Sequence, residues 1–180
     1  LAGVIFEQEY QRVSDSPSPA ENVEVLDAFF RGIPETPGTH LELRSEHLLS
    51  AGYFDWLAER ELGFVFSHWT WLPRLKDQWE RCGKRFTSGD DRVIARLLTP
   101  RNLKYAKAYD LAYPFDEPVE ELAETDQAKA MIDDTTALAY RAIENHRTLM
   151  IAANNRAYGS APDLARAIGE RFLEFSDETP

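Results

Sequence analysis

Short apolar runs alternate along this chain with longer stretches in which apolar residues recur every three or four positions. The runs are Gly3 to Glu7 (GVIFE), His40 to Leu43 (HLEL), Gly63 to Ser67 (GFVFS), Arg92 to Leu98 (RVIARLL) and Leu149 to Ala153 (LMIAA). Each is rich in Val, Ile, Leu or Phe, as strands covered on both faces are, and each is too short for an ordinary helix. The stretches between them carry helix start signals. Ser18-Pro19-Ala20-Glu21 is a capping box with Pro at the first helical position, and it opens Asn22 to Arg31 with Val25, Leu26, Phe29 and Phe30 as one stripe. Gly32 and Pro34 stop that helix.

Ser45 is placed to cap Glu46 to Arg60, with Leu48, Leu49, Phe54, Leu57 and Ala58 inward. Pro73 opens a shorter helix through Arg81. Pro118 opens the longest helical stretch, to about His146, using Leu122, Met131, Ile132, Leu138, Ala139, Ala142 and Ile143. Ser160, with Asp163 as the capping-box acid, starts a last helix facing Leu164, Ile168 and Leu173 inward. Strand and helix in alternation predict parallel strands joined by helical crossovers, in one domain over residues 1–180. Ser14 to Pro19 and Glu35 to Thr39 are polar surface loops, and Thr99 to Glu117 is a long connection without an obvious regular element.

Composition narrows the function classes. The 180 residues include 20 Lys or Arg and 31 Asp or Glu, so the formal charge is 20 − 31 = −11. An acidic chain is a poor counterion-releasing partner for nucleic acid or an anionic membrane, and neither is expected. The single Cys82 forms no internal disulfide and points to a reducing, cytoplasmic setting. No apolar run approaches the roughly 20 residues of a membrane span. The chain opens on an apolar run without Met, which fits either a removed tag or leader or a start inside a larger domain.

Several segments in order are familiar: Gly3-Val4-Ile5-Phe6-Glu7-Gln8, Leu26-Asp27-Ala28-Phe29-Phe30 with Pro34, and Leu41-Glu42-Leu43-Arg44. They continue with Trp69-Thr70-Trp71, Arg96, Lys104 to Tyr109, and Asn154-Asn155-Arg156-Ala157-Tyr158-Gly159-Ser160-Ala161-Pro162. Over nearly its whole length the chain resembles the C-terminal part of the YecE-like family, the domain of unknown function DUF72. The resemblance implies a (β/α)8 TIM-type barrel with no settled activity, here truncated to about five parallel strands with helices outside and lacking the N-terminal β/α units. Where family members often place His after Glu-Leu-Arg, this chain has Ser45-Glu46-His47. Five strands in 180 residues also fall short of the eight strands and about 250 residues of a barrel. Unclosed, such a sheet leaves two border strands open to self-association. An open doubly wound sheet is the competing architecture.

Ligands of parallel β/α folds bind at the C-terminal strand ends. There lie Glu7 and Gln8, Glu42 and Arg44, His68 and Trp69, Arg96, and Asn154 and Asn155. Glu42 and Arg44, two apart in a strand, share a face. Glu7 and Glu42 are the candidate acid–base residues. Gln8, Arg44, Trp69, Arg96, Asn154 and Asn155 are candidate ligand contacts, with the arginines as donors to carboxylate or phosphate and Trp69 and Trp71 as a flat wall for a sugar. The competing reading makes Glu42–Arg44 and Glu7–Arg96 structural ion pairs. Glu7, Glu42 and His68 suit a divalent ion, yet no metal-motif spacing occurs, so no metal is assigned. Tyr105, Tyr109 and Tyr113 share a helical face with Arg101, Lys104 and Lys107 beside them, as a lid, as a basic-aromatic strip for an anionic ligand or single strand, or as plain packing. Gly159 to Pro162 is either a phosphate cradle or a well-capped helix start. No motif names a cofactor. The chain is expected to handle a polar anionic or sugar-like small molecule, as an enzyme or as a non-catalytic binding or interaction protein.

Overall fold

Among the described residues the five strands follow as the periodicity predicts, and seven helices stand where it predicts five. The computed structural model describes residues 3–34 and 38–178, so part of the expected surface loop at 35–39 lies outside the described residues. The strands are β1 (Val4–Gln8), β2 (Thr39–Leu43), β3 (Gly63–His68), β4 (Arg92–Leu97) and β5 (Thr148–Ala153). The helices are α1 (Pro19–Arg31), α2 (Ala51–Glu59), α3 (Leu75–Arg81), α4 (Tyr105–Ala112), α5 (Glu120–Ala123), α6 (Asp126–Glu144) and α7 (Ala161–Glu178). Neighbouring strands pair in parallel and in sequence order, β1-β2-β3-β4-β5.

The sheet is curved. β1 and β4 are three strand spacings apart, about 14 Å in a flat sheet. Even so, Arg96 of β4 places Nη1 2.9 Å from Glu7 Oε2 of β1. His40 of β2 similarly reaches the Arg92 carbonyl of β4 at 3.3 Å. Gly63 lets that ring cross β3, since a Cβ there would lie 2.1 Å from His40 Cδ2. The concave side therefore corresponds to a barrel interior, and a doubly wound sheet with helices on both faces is not what forms.

Alternation sorts the side chains between the two faces. Phe6, Leu41, Leu43, Phe64, Phe66, Val93, Ala95 and Leu97 join the core beneath the helices. Phe66 packs edge-on against Phe64 and Phe86, with Trp79 beside it. The expectation that every run is covered on both faces holds for β2 and β3, where every residue is buried. It fails at the borders, where Ile5 is 37% and Met150 45% exposed. A border strand has a neighbour on one side alone, whatever its composition.

Local chemistry moves several helix boundaries. The capping box at Ser18 forms as expected. Ser45 does not cap a helix, because its hydroxyl pairs with the backbone N–H and carbonyl of Gln11. A short 3-10 turn follows at Glu46–Leu48, and α2 starts five residues later than expected with Ser50 as cap. The stretch expected over Pro118 to His146 divides into α5 and α6 because Thr125 accepts the Ala128 N–H and starts a new helix. The long connection holds α4, so it is not without regular structure. Val25, Phe29, Ile143 and Leu173 are exposed, so the apolar stripes are narrower than their spacing indicated.

Candidate functional site

The C-terminal ends of β1, β2 and β4 bring four charged side chains together on the concave side. Arg44 Nη2 lies 2.6 Å from Glu7 Oε2 and 3.5 Å from Glu42 Oε2. Arg96 Nη1 contacts the same Glu7 oxygen and also Glu42. The Ser67 hydroxyl of β3 donates to the other oxygen of Glu42. Two carboxylates are thus threaded by two guanidiniums, in the charge-assisted geometry that makes the strongest hydrogen bonds. Ser67 was not among the residues singled out in the sequence. Its only signal there is its inward register two residues after Val65.

The two acids occupy different environments. The Glu42 side chain is 0% exposed, and the Glu7 side chain 42%. Burial pushes the Glu42 carboxyl above the ordinary carboxylate range, against the hydrogen bond from Ser67 and the charges of Arg96 and Arg44. Partial burial also pushes Glu7 upward, but the Arg96 hydrogen bond and the Arg44 charge outweigh it and hold Glu7 below that range. These environments favour a proton on Glu42 over one on Glu7.

Trp69 lies against this cluster with its ring 4.8 Å from the Arg44 guanidinium carbon. Two buried groups there, Arg44 Nε and Trp69 Nε1, have no hydrogen-bond partner among the described residues. The other candidates are not brought in. Gln8 points to the helix side, where its amide donates to Asn22 Oδ1 of α1 at 2.7 Å. Asn154 Oδ1 accepts the Arg156 N–H, and Asn155 Oδ1 accepts the Ala161 N–H at the start of α7. His68 follows Ser67 directly and so faces away from Glu42, which separates it from the acids it was grouped with. Among the described residues no cluster of three metal-ligating side chains occurs.

A groove of about 640 Å³ opens among the loops that follow β1 to β4. Tyr10 and Trp71, both exposed, stand on its wall with ring centroids 5.3 Å apart, and Arg101 and His47 also line it. Trp71 and not Trp69 is the open aromatic surface, since Trp69 is occupied by Arg44. Tyr10, His47 and Arg101 belong to loops that touch only in the folded chain, and no local spacing announces them. On α4, Tyr105 and Tyr109 are exposed, and Tyr105 stacks under Arg156 at 4.3 Å. Ser160 and Asp163 form the expected cap of α7.

No protein-family model and no curated protein matches the chain. A solved structure of similar fold is that of a DUF72 family protein from Enterococcus faecalis, at 12% sequence identity and a TM-score of 0.61. The match covers 95% of this chain and 58% of that one, so the chain spans well under two thirds of the protein it matches. The resemblance drawn from the Glu-Leu-Arg and Asn-Asn segments is borne out as a shared fold, an α/β arrangement of TIM-barrel type with five parallel strands.

Proposed function

We propose that the chain binds a small polar anion on the concave side of the sheet, with Glu42 and Glu7 as an acid–base pair acting on it. One observation carries this reading: two carboxylates, one enclosed and one half-exposed, share two guanidiniums at the strand ends, and these environments push their proton affinities in opposite directions. Displaced pairs of this kind are how acid and base roles are divided at neutral pH. A proton on Glu42 also leaves Arg44 and Arg96 with one compensating charge from Glu7, and the excess cation favours an anion. The exposed ring of Trp71 in the adjoining groove suits a sugar or other flat moiety attached to that anion. A cytoplasmic setting accords with the free, buried Cys82. Association through the unpaired borders of β1 and β5 belongs to the same proposal.

A second reading is favoured by the complete burial of Glu42 and the mutual pairing of all four charges: a structural network in a non-catalytic binding or interaction protein. Calorimetry with inorganic phosphate and glucose 6-phosphate separates the two. The first reading expects millimolar or tighter binding of at least one probe, weakened tenfold or more in Arg44→Gln with little change in melting temperature. Absence of binding, together with a marked fall in melting temperature in Arg44→Gln, establishes the structural network instead.

A further inference from the structure

On the opposite face of β3 from Glu42 lies a cavity of about 160 Å³ that the acid–base cluster does not use. His68 forms its floor. The walls are Arg74 ahead of α3, Arg101 of the loop after β4, and Asp126, Ala130, Met131 and Asp134 of α6. His68 is 4% exposed, and among the described residues its ring makes no hydrogen bond. Neither ring nitrogen is among the fully enclosed polar atoms that lack a partner, so the imidazole is open to whatever fills the cavity. Arg74 cannot supply one from its own charge, being bound to Asp134 through two hydrogen bonds of 2.7 and 3.1 Å. Arg101 differs: its Nε donates to the Leu72 carbonyl at 2.9 Å, and among the described residues no carboxylate pairs with its guanidinium.

The charges facing His68 come from three elements: Arg74, Arg101, and on α6 the neutralised Asp134 and the first-turn Asp126. Burial and then the fields of Arg101 and Arg74 push the imidazole down to about 4, with no acid raising it. With Arg74 paired to Asp134, Arg101 is the cation of the lining that faces the ring without an ion-pair partner among the described residues. Ala130 and Met131 supply an apolar wall opposite. A cavity of this size holds roughly six non-hydrogen atoms, as an engineered cavity of similar volume holds benzene.

We propose that this cavity is a binding site for a short-chain carboxylate, with its oxygens on Arg101 and His68 and its alkyl tail on Ala130 and Met131. Butyrate, with six non-hydrogen atoms, is the probe and octanoate the oversized control. NMR titration of the His68 ring proton follows the pH dependence with sodium butyrate and with sodium chloride at equal ionic strength. A bound anion stabilises the imidazolium, so butyrate raises the apparent His68 pKa by about one unit, a tenfold coupling. Butyrate also gives a saturable shift of the Met131 methyl in the unmodified protein, and octanoate does not. Arg101→Gln abolishes both effects. The site is refuted by a His68 titration identical in butyrate and chloride, by an unmoved Met131 methyl, or by equal effects of octanoate. The Met131 measurement stands even where Arg101→Gln fails to fold.

Discussion

The two faces of the central strands β2 and β3 are equally buried and held by different forces. Toward the helices, Leu41, Leu43, Phe64 and Phe66 pack into an apolar core. Toward the concave side, His40, Glu42 and Ser67 are as inaccessible to water, yet they are polar and held by directed contacts to partners on other strands. Apolar packing is proportional to area and tolerates small shifts. A buried ionic network depends on its enclosed members, since losing one strands a desolvated charge, and less on members that water reaches. Burial alone therefore does not identify what a face contributes, and substitution on each face separates the contributions.

The largest effect is expected on the helix side. Phe66→Ala empties a fully enclosed ring site and should lower unfolding free energy by about 3–5 kcal/mol in urea titrations, with no change in anion affinity. On the concave side, Glu42→Ala should lower it by about 3 kcal/mol, whereas Glu7→Ala, at a half-exposed site, should alter it by less than about 1 kcal/mol. Equal effects at the two acids would erase the distinction between a proton-holding and an ionised member.

Acid should act next. His68 has its proton affinity lowered from 6.5 in the unfolded chain to about 4 in the fold. Between these values the unfolded state holds more protons, so stability is present above pH 6.5 and declines as pH falls to about 4. The full span is about 3 kcal/mol, and His68→Gln should flatten it in pH-dependent denaturation. Glu42 runs in the opposite sense: its raised folded pKa means that the native state takes up a proton first, so its own contribution improves as pH falls toward 4.5.

Smaller effects sharpen the borders. Asn155→Ala removes the cap on Ala161 and should cost about 1 kcal/mol without altering anion binding. Loss of binding in that variant would return Asn155 to the ligand contacts. Met150→Lys, on an exposed concave position of β5, should leave stability within about 0.5 kcal/mol and reduce any self-association seen by sedimentation.

Much of this architecture is legible in one dimension. Apolar runs, the Ser18 box and the Ser160–Asp163 cap place strands and helix starts because those signals act over four or five residues. The inward register of Glu42 follows from Leu41 and Leu43 by alternation alone. Where the same rules miss, a distant contact intervenes. Ser45 is drawn to Gln11, 34 residues away, and the helix it was placed to cap starts later, at Ser50. Gln8 sits in a strand-end position yet turns to Asn22.

Sequence by itself thus determined the α/β alternation, the strand-end placement of Glu7, Glu42, Arg44 and Arg96, and the buried nature of the middle strands, since all depend on periodicity and side-chain type. Only the tertiary structure decided which strands became borders and how Arg96 crosses to Glu7. It also separated His68 from Glu42 and gave it a cavity of its own. Those outcomes depend on sheet curvature and on contacts between residues up to 89 positions apart, and no local pattern carries that information.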